Sequence, residues 1–143
     1  MQEYRANTNQ KEFTNYIVPK FLAVFPEMTQ YTVEDHLDVS YLELASPQRK
    51  LKILVSTRDK ELTIGFSAGP GIFDWHIHMF ENESLDEKVR RAAAIINEII
   101  QGKTGIIYSS MLSYFPGSSE DFERIKKDQE KDEIIELRCW NEF

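Results

Sequence analysis

Between Lys50 and Gly102 the apolar pattern of this chain changes period, and that change limits the possible folds more than any other feature. Leu51, Ile53 and Val55 alternate with polar neighbours, and Leu62, Ile64 and Phe66 repeat the scheme after the turn residues Arg58-Asp59-Lys60. Phe73, Trp75, Ile77 and Met79 continue it after the break at Ala68-Gly69-Pro70-Gly71. From Leu85 the spacing turns helical: Leu85, Val89, Ala92, Ala93, Ile96, Ile99 and Ile100 form one stripe, with Ser84 and Glu87 at capping-box spacing and Gly102 as the exit residue. Strands joined by such short connections run antiparallel, and strands apolar on one side must be covered. An α+β fold is predicted: a mainly antiparallel meander with an N-terminal helix and a central amphipathic helix packed on it.

The flanking segments fit that frame. An N-terminal helix is expected from Asn9 to about Phe25, with Asn9 and Glu12 at capping-box spacing and Phe13, Ile17, Phe21 and Val24 as its stripe. Pro19 removes a donor to the Asn15 carbonyl, so a kink or a fresh start is predicted there. Leu37 to Ala45 reads as a strand with a bulge or with burial on both faces. After the central helix come a strand from Ile106 to Met111, a loop from Tyr114 to Gly117, a charged helix from Ser119 to about Lys131 and a last strand from Glu133 to Trp140. No linker or repeat divides the chain, and a single domain over residues 1–143 is expected.

Lys and Arg total 17 against 24 Asp and Glu, a formal charge of −7, so the average field repels phosphate and attracts a basic partner or simply keeps the chain soluble. Nucleic acid is therefore not the expected partner. Cys139 is the one cysteine, which suits a reducing compartment, and alternation with Ile135 and Leu137 makes it a small core residue rather than a nucleophile. No leader-like or membrane-spanning apolar run occurs, so a cytoplasmic location without membrane association is predicted.

Alternation through Asp74, His76 and His78 puts three polar residues on the face opposite Trp75 and Ile77, and Glu81 and Glu83 extend the negative charge toward the central helix. The His-x-His spacing permits a metal, but Asp74, His36 and Glu81 are the only further ligands on offer and nothing selects among them, so no metal or cofactor is predicted. Gly69-Pro70-Gly71 lacks the Lys and Ser or Thr of a phosphate loop and leads into a strand. No set of residues specifies a catalytic group. A partner surface made of Asp74, His76, His78, Glu81 and Glu83 is the candidate site, with Trp140, expected near the end of the last strand and exposed, as a contact anchor. Lys50, Lys52, Arg58 and Lys60 form a positive hairpin edge that discourages edge-to-edge pairing.

The order of parts resembles small bacterial immunity proteins of polymorphic or contact-dependent growth-inhibition toxin systems. The likeness runs through Glu61-Leu62-Thr63-Ile64-Gly65-Phe66, Asp74-Trp75-His76-Ile77-His78, the amphipathic helix, a strand bearing Tyr108, and Glu136-Leu137-Arg138-Cys139-Trp140-Asn141. The last string carries Cys139 and Asn141 around Trp140 where some such proteins have Ser and Gly. The resemblance implies a cytoplasmic protein without catalytic activity that binds and neutralises one cognate toxin domain, often a nuclease. A small enzyme or metal-binding protein centred on His76 and His78, and a non-catalytic adaptor, remain the alternatives from the residues themselves, which also leave the oligomeric state open.

Overall fold

The computed structural model describes residues 9–32, 38–68, 75–78 and 84–143, with Trp75 and His78 described as backbone. Helix α1 (Gln10–Val24) begins where Asn9 Oδ1 accepts the Glu12 N–H at 2.8 Å, while Asn9 Nδ2 donates to Glu12 Oε1 at 3.0 Å. The expected pair thus closes partly side chain to side chain. Instead of breaking at Pro19, the helix runs through it as one element. The proline still denies the Asn15 carbonyl its helical donor. Phe13, Ile17 and Phe21 are buried as predicted, but the stripe continues to Phe25 and Val24 is 49% exposed. Steps of four from Phe13 lead to Phe25, and Val24 falls off that line.

Five strands then run in spatial order as they do in sequence: β1 (Thr29–Thr32), β2 (Ser40–Ala45), β3 (Lys52–Ser56), β4 (Thr63–Ser67) and β5 (Trp75–His78), every pair antiparallel. The predicted meander is therefore present, with one more strand than the pattern reveals. Being polar and largely exposed, Thr29-Gln30-Tyr31-Thr32 shows no alternation to read. Register aligns Leu42, Val55, Ile64 and Ile77 in one row, and Leu44, Ile53, Phe66 and Trp75 in the next. From these rows Leu42, Val55, Ile64, Ile53 and Phe66 join Phe13, Ile17 and Phe21 in the main core. Of the two options at Leu37 to Ala45, two-sided burial is the one found: Tyr41 and Leu42, on opposite faces, are both buried, and the pairing of β2 is continuous.

Helix α2 (Leu85–Ile100) starts with the Glu87 N–H donating to Ser84 Oγ at 3.2 Å, and it packs against α1. Leu85, Val89, Ala92, Ala93, Ile96 and Ile99 are buried. Lys88, expected on the solvated side, is buried as well. It lies within a turn of Leu85 and Ala92, where a long aliphatic stem covers apolar surface. Gly102 ends the helix at φ +78°, its N–H donating to the Ile99 carbonyl at 3.1 Å.

The C-terminal third makes a second sheet from β6 (Gly105–Ser109), β7 (Ser113–Gly117) and β8 (Ile135–Arg138), in the order β7-β6-β8, with α3 (Ser119–Lys127) packed on β7 and β8. The expected loop at Tyr114 to Gly117 is thus a strand. Pro116 masked it, yet β7 is an edge, where a missing donor is tolerated. At Gly117 an added Cβ would lie 2.5 Å from Ile107 Cδ1, so a larger residue here would have to displace the end of that buried side chain. The last strand is shorter than predicted, because after Arg138 the chain turns into a 3-10 helix (Trp140–Glu142) that seats Trp140 and Phe143 in the main core.

Ile96 is fully buried among both helices and the sheet. Ile96→Asp is expected to abolish the cooperative thermal transition, since an unpaired buried carboxylate costs several kcal/mol or more against a total of about 5–15 kcal/mol. Ile96→Ala is expected to stay folded but lose about 2–5 kcal/mol in denaturant titration.

Candidate functional site

β5 closes one end of the five-stranded sheet, with β4 as its hydrogen-bonded neighbour. His76 stands opposite Gly65 and is exposed; His78 holds the register position opposite Thr63. Ile77, predicted to be core, shares a row with buried Ile64 but is itself 37% exposed. Among the described strands only β4 is hydrogen-bonded to β5, so Ile77 has a paired neighbour on one side. Asp74, Glu81 and Glu83 of the candidate surface, and His36 of the candidate ligands, lie outside the described residues. Among the described residues no group of three or more His, Cys, Asp or Glu is placed to hold a metal ion.

The two C-terminal expectations are reversed. Trp140 is 4% exposed and part of the core, so it cannot be a surface anchor in this fold, whereas Cys139 is exposed. Alternation ends at Arg138: the 3-10 turn shifts the residues beyond it, and the Cys139 N–H donates to Glu142 Oε1 at 3.2 Å. The Gln48 N–H donates to the Phe143 carbonyl at 2.6 Å, tying the end of the chain to the turn before β3.

Between α1 and α2 runs a groove of about 520 Å³, with Ala23, Val24, Val89 and Ala93 along it and Lys20 and Arg90 at its rim. At one end the Tyr16 hydroxyl donates to Asp86 Oδ1 at 2.6 Å, Lys20 Nζ lies 3.2 Å from the same oxygen, and the Lys20 ammonium sits 4.6 Å from the centre of the Tyr16 ring. Burial and the Asp86 carboxylate push the Tyr16 phenol up to about 12, while the Tyr16 hydroxyl and the Lys20 ammonium hold Asp86 below its ordinary value. A phenol kept protonated and a carboxylate kept charged are both unsuited to proton transfer near neutrality. A second cleft, about 530 Å³ between α1 and the β1–β2 pair, is of mixed character, with Val18 and Pro19 beside Thr14, Asn15, Gln30, Thr32 and Ser40. Its inner wall is already engaged: Thr14 Oγ1 donates to the Asp38 carbonyl and lies 2.9 Å from Thr57 Oγ1, and the Ser40 N–H donates to Thr57 Oγ1 at 3.0 Å.

Tyr31, Asp121 and Glu133 are displaced in the same sense. Burial and the charge of Glu43 raise Tyr31. Ser118 lowers Asp121 through its backbone and side chain, and the Ser109 hydroxyl lowers Glu133, helped by the Glu130 N–H. Each shift moves away from neutrality.

One surface has no counterpart in the sequence reading. Met111, Leu112 and Ile134 are 65%, 61% and 56% exposed, the largest values among the described large apolar residues. A strand ending at Met111 would have hidden it. The available signal was the pair of serines, Ser109-Ser110, that precedes the turn.

Comparison with protein-family models, curated proteins and solved structures finds no match to this chain.

The Tyr16–Asp86 pair predicts opposite pH effects at the two extremes. Tyr16 is raised, so its contribution to stability is complete below its ordinary value of 10.0 and is lost as pH rises through about 12. Asp86 is lowered, so its contribution is complete above its ordinary 3.8 and is lost as pH falls through its folded value. Denaturant titrations across pH are expected to show a steeper alkaline decline in the wild type than in Tyr16→Phe, and a steeper acid decline than in Asp86→Asn.

Proposed function

We propose that this is a non-catalytic binding protein of the immunity type, which neutralises a basic toxin domain, a nuclease being the favoured kind, in the cytoplasm. The observation that carries this reading is the acidic balance of the chain, 24 Asp and Glu against 17 Lys and Arg, which favours encounter with a cation-rich domain. Inhibition by occlusion requires no catalytic group. The choice of a basic partner is supported by the charge of −7 and by the resemblance of the strings around Asp74 to His78 and Glu136 to Asn141 to immunity proteins.

The contact surface proposed is the β5 strand and its continuation: Asp74, His76, His78, Glu81 and Glu83. Trp140 is withdrawn from it because it is buried. Exposed His76 and half-exposed Ile77 offer a polar and an apolar contact on adjacent positions.

The gene directly upstream is expected to encode a large toxin, and co-expression of this chain is expected to restore growth of cells expressing that toxin's C-terminal domain. With the two purified proteins, Asp74→Lys combined with Glu81→Lys is expected to slow association roughly tenfold at low ionic strength, with the difference shrinking as salt is added. An unchanged association rate rejects this surface, and failure to protect rejects the immunity function. Elemental analysis is expected to find no stoichiometric zinc, nickel or iron, and a chelator is expected to leave the melt unchanged. One metal per chain, lost in His76→Ala with His78→Ala, would favour a metalloprotein instead.

A further inference from the structure

We infer that the outer edge of β8 pairs with the same edge of a second copy, antiparallel about a two-fold axis at Leu137, to make a six-stranded sheet in the order β7-β6-β8-β8-β6-β7. Among the described strands β8 has β6 as its one hydrogen-bonded neighbour and lies at the outside of the second sheet. The phase of its ladder is set one step beyond the Ser109–Ile135 pair, where the Ser110 N–H donates to the Ile134 carbonyl at 2.9 Å. Because antiparallel pairs alternate between bonded and non-bonded, Glu136 and Arg138 turn their backbone groups toward β6, and Ile135, Leu137 and Cys139 turn theirs outward. The 3-10 turn occupies Cys139, whose N–H donates to Glu142 Oε1 at 3.2 Å and whose carbonyl accepts the Glu142 N–H at 2.9 Å. Ile135 is buried and Leu137 half-buried, so Leu137 is the point at which a second strand approaches.

Charge selects a second copy as the occupant and fixes its register. An axis at Leu137 lets the Leu137 N–H of each copy donate to the Leu137 carbonyl of the other. It also places Glu136 opposite Arg138 twice, in the non-bonded pairs where side chains come closest. Within one chain these two groups already meet, Arg138 Nη2 lying 2.8 Å from Glu136 Oε2, with both side chains 43% exposed. Pairing sets a second Glu–Arg pair alongside, so each charge has an opposite neighbour on its own strand and across the axis. An axis one residue earlier opposes Glu136 to Glu136 and depends on the backbone of buried Ile135. Charges that guard an edge against association share one sign; these two cancel.

The net charge of −7 lies elsewhere. Residues 124–143 carry five basic and six acidic side chains, so nearly all of the acidic excess belongs to the first 123 residues. An added Cβ at Gly117 falls near both Ile107 and Asp121, so α3 lies on the sheet face that holds Ile107 and its register partner Leu137. No residue of α3 is fully buried, and Phe122 and Ile125, like Leu137, are half-buried. A two-fold axis normal to the sheet sets both copies of α3 side by side on that face, with apolar surface still to cover. This inference does not rest on the immunity reading, whose contact surface is β5.

Sedimentation equilibrium of the full chain, with reductant present, is the test. A reversible dimer is expected as the concentration rises to about 1 mM. Glu136→Arg and Arg138→Glu are each expected to weaken it roughly tenfold, since two attractive pairs become repulsive, and the two together to restore it to within about threefold. Glu136→Gln is expected to weaken it as well, whereas an axis at Glu136 would be strengthened by that change. Thermal melts of all four variants are expected to match the wild type at concentrations where it is monomeric. The proposal is overturned by a chain that stays monomeric throughout, by a dimer indifferent to both single variants or strengthened by Glu136→Gln, or by a double variant that melts like the wild type yet does not associate. A dimer that appears only without reductant is a Cys139 disulfide and overturns it too.

Discussion

Everything else in the molecule depends on the register of the five-stranded sheet. Because side chains alternate across a strand, a slip of one residue between β3 and β4 would carry Ile64 and Phe66 away from Val55 and Ile53 and strand the apolar faces of both helices. In the register observed, two continuous rows meet Phe13, Ile17 and Phe21 from α1 and Ala92, Ile96 and Ile99 from α2. Small residues at 92 and 93 let α2 lie close, and the Thr14 and Thr57 hydroxyls, with the Ser40 N–H donating to Thr57 Oγ1, fasten the start of α1 to the sheet. Burial on both sides of β2 and β3 leaves little freedom for any other pairing.

That constraint also sets what is left open. The central strands are consumed by packing, so open surface lies at the margins: β5 at one end of the sheet, the helical groove, and the turns at the end of the second sheet. Along the groove the Tyr16 hydroxyl and the Lys20 ammonium hold Asp86 below its ordinary value, and at the second sheet the Ser109 hydroxyl does the same for Glu133.

The serine hydroxyls of the second sheet illustrate how local and tertiary chemistry combine. Ser118 caps α3 reciprocally with Asp121, a device visible in the spacing of the residues. Ser109 does the same for a turn, but one of its partners, Glu133, comes from beyond α3. No pattern in residues 105–117 announces that bond. The exposed surface of Met111, Leu112 and Ile134 exists because two segments meet, so neither segment alone displays it.

What the sequence determined by itself was whatever depends on neighbours along the chain. The capped helix from Leu85 to Ile100, the hairpin from Lys52 to Ser67, the stripe Phe13, Ile17, Phe21 and the α+β class all follow from periodicity and capping, which act over a few residues. Tertiary structure decided the rest. Thr29 to Thr32 became a strand because β2 offered a partner, and Tyr114 to Gly117 did so beside β6 despite Pro116, since an edge forgives a missing donor. Trp140 went inside because a 3-10 turn ended the alternation that had pointed it outward, while Lys88 sank among apolar neighbours and Ile77 stayed half open at the sheet's edge. Each of these depends on what lies across space, and the periodicity of a single chain carries no record of which distant surface will cover it.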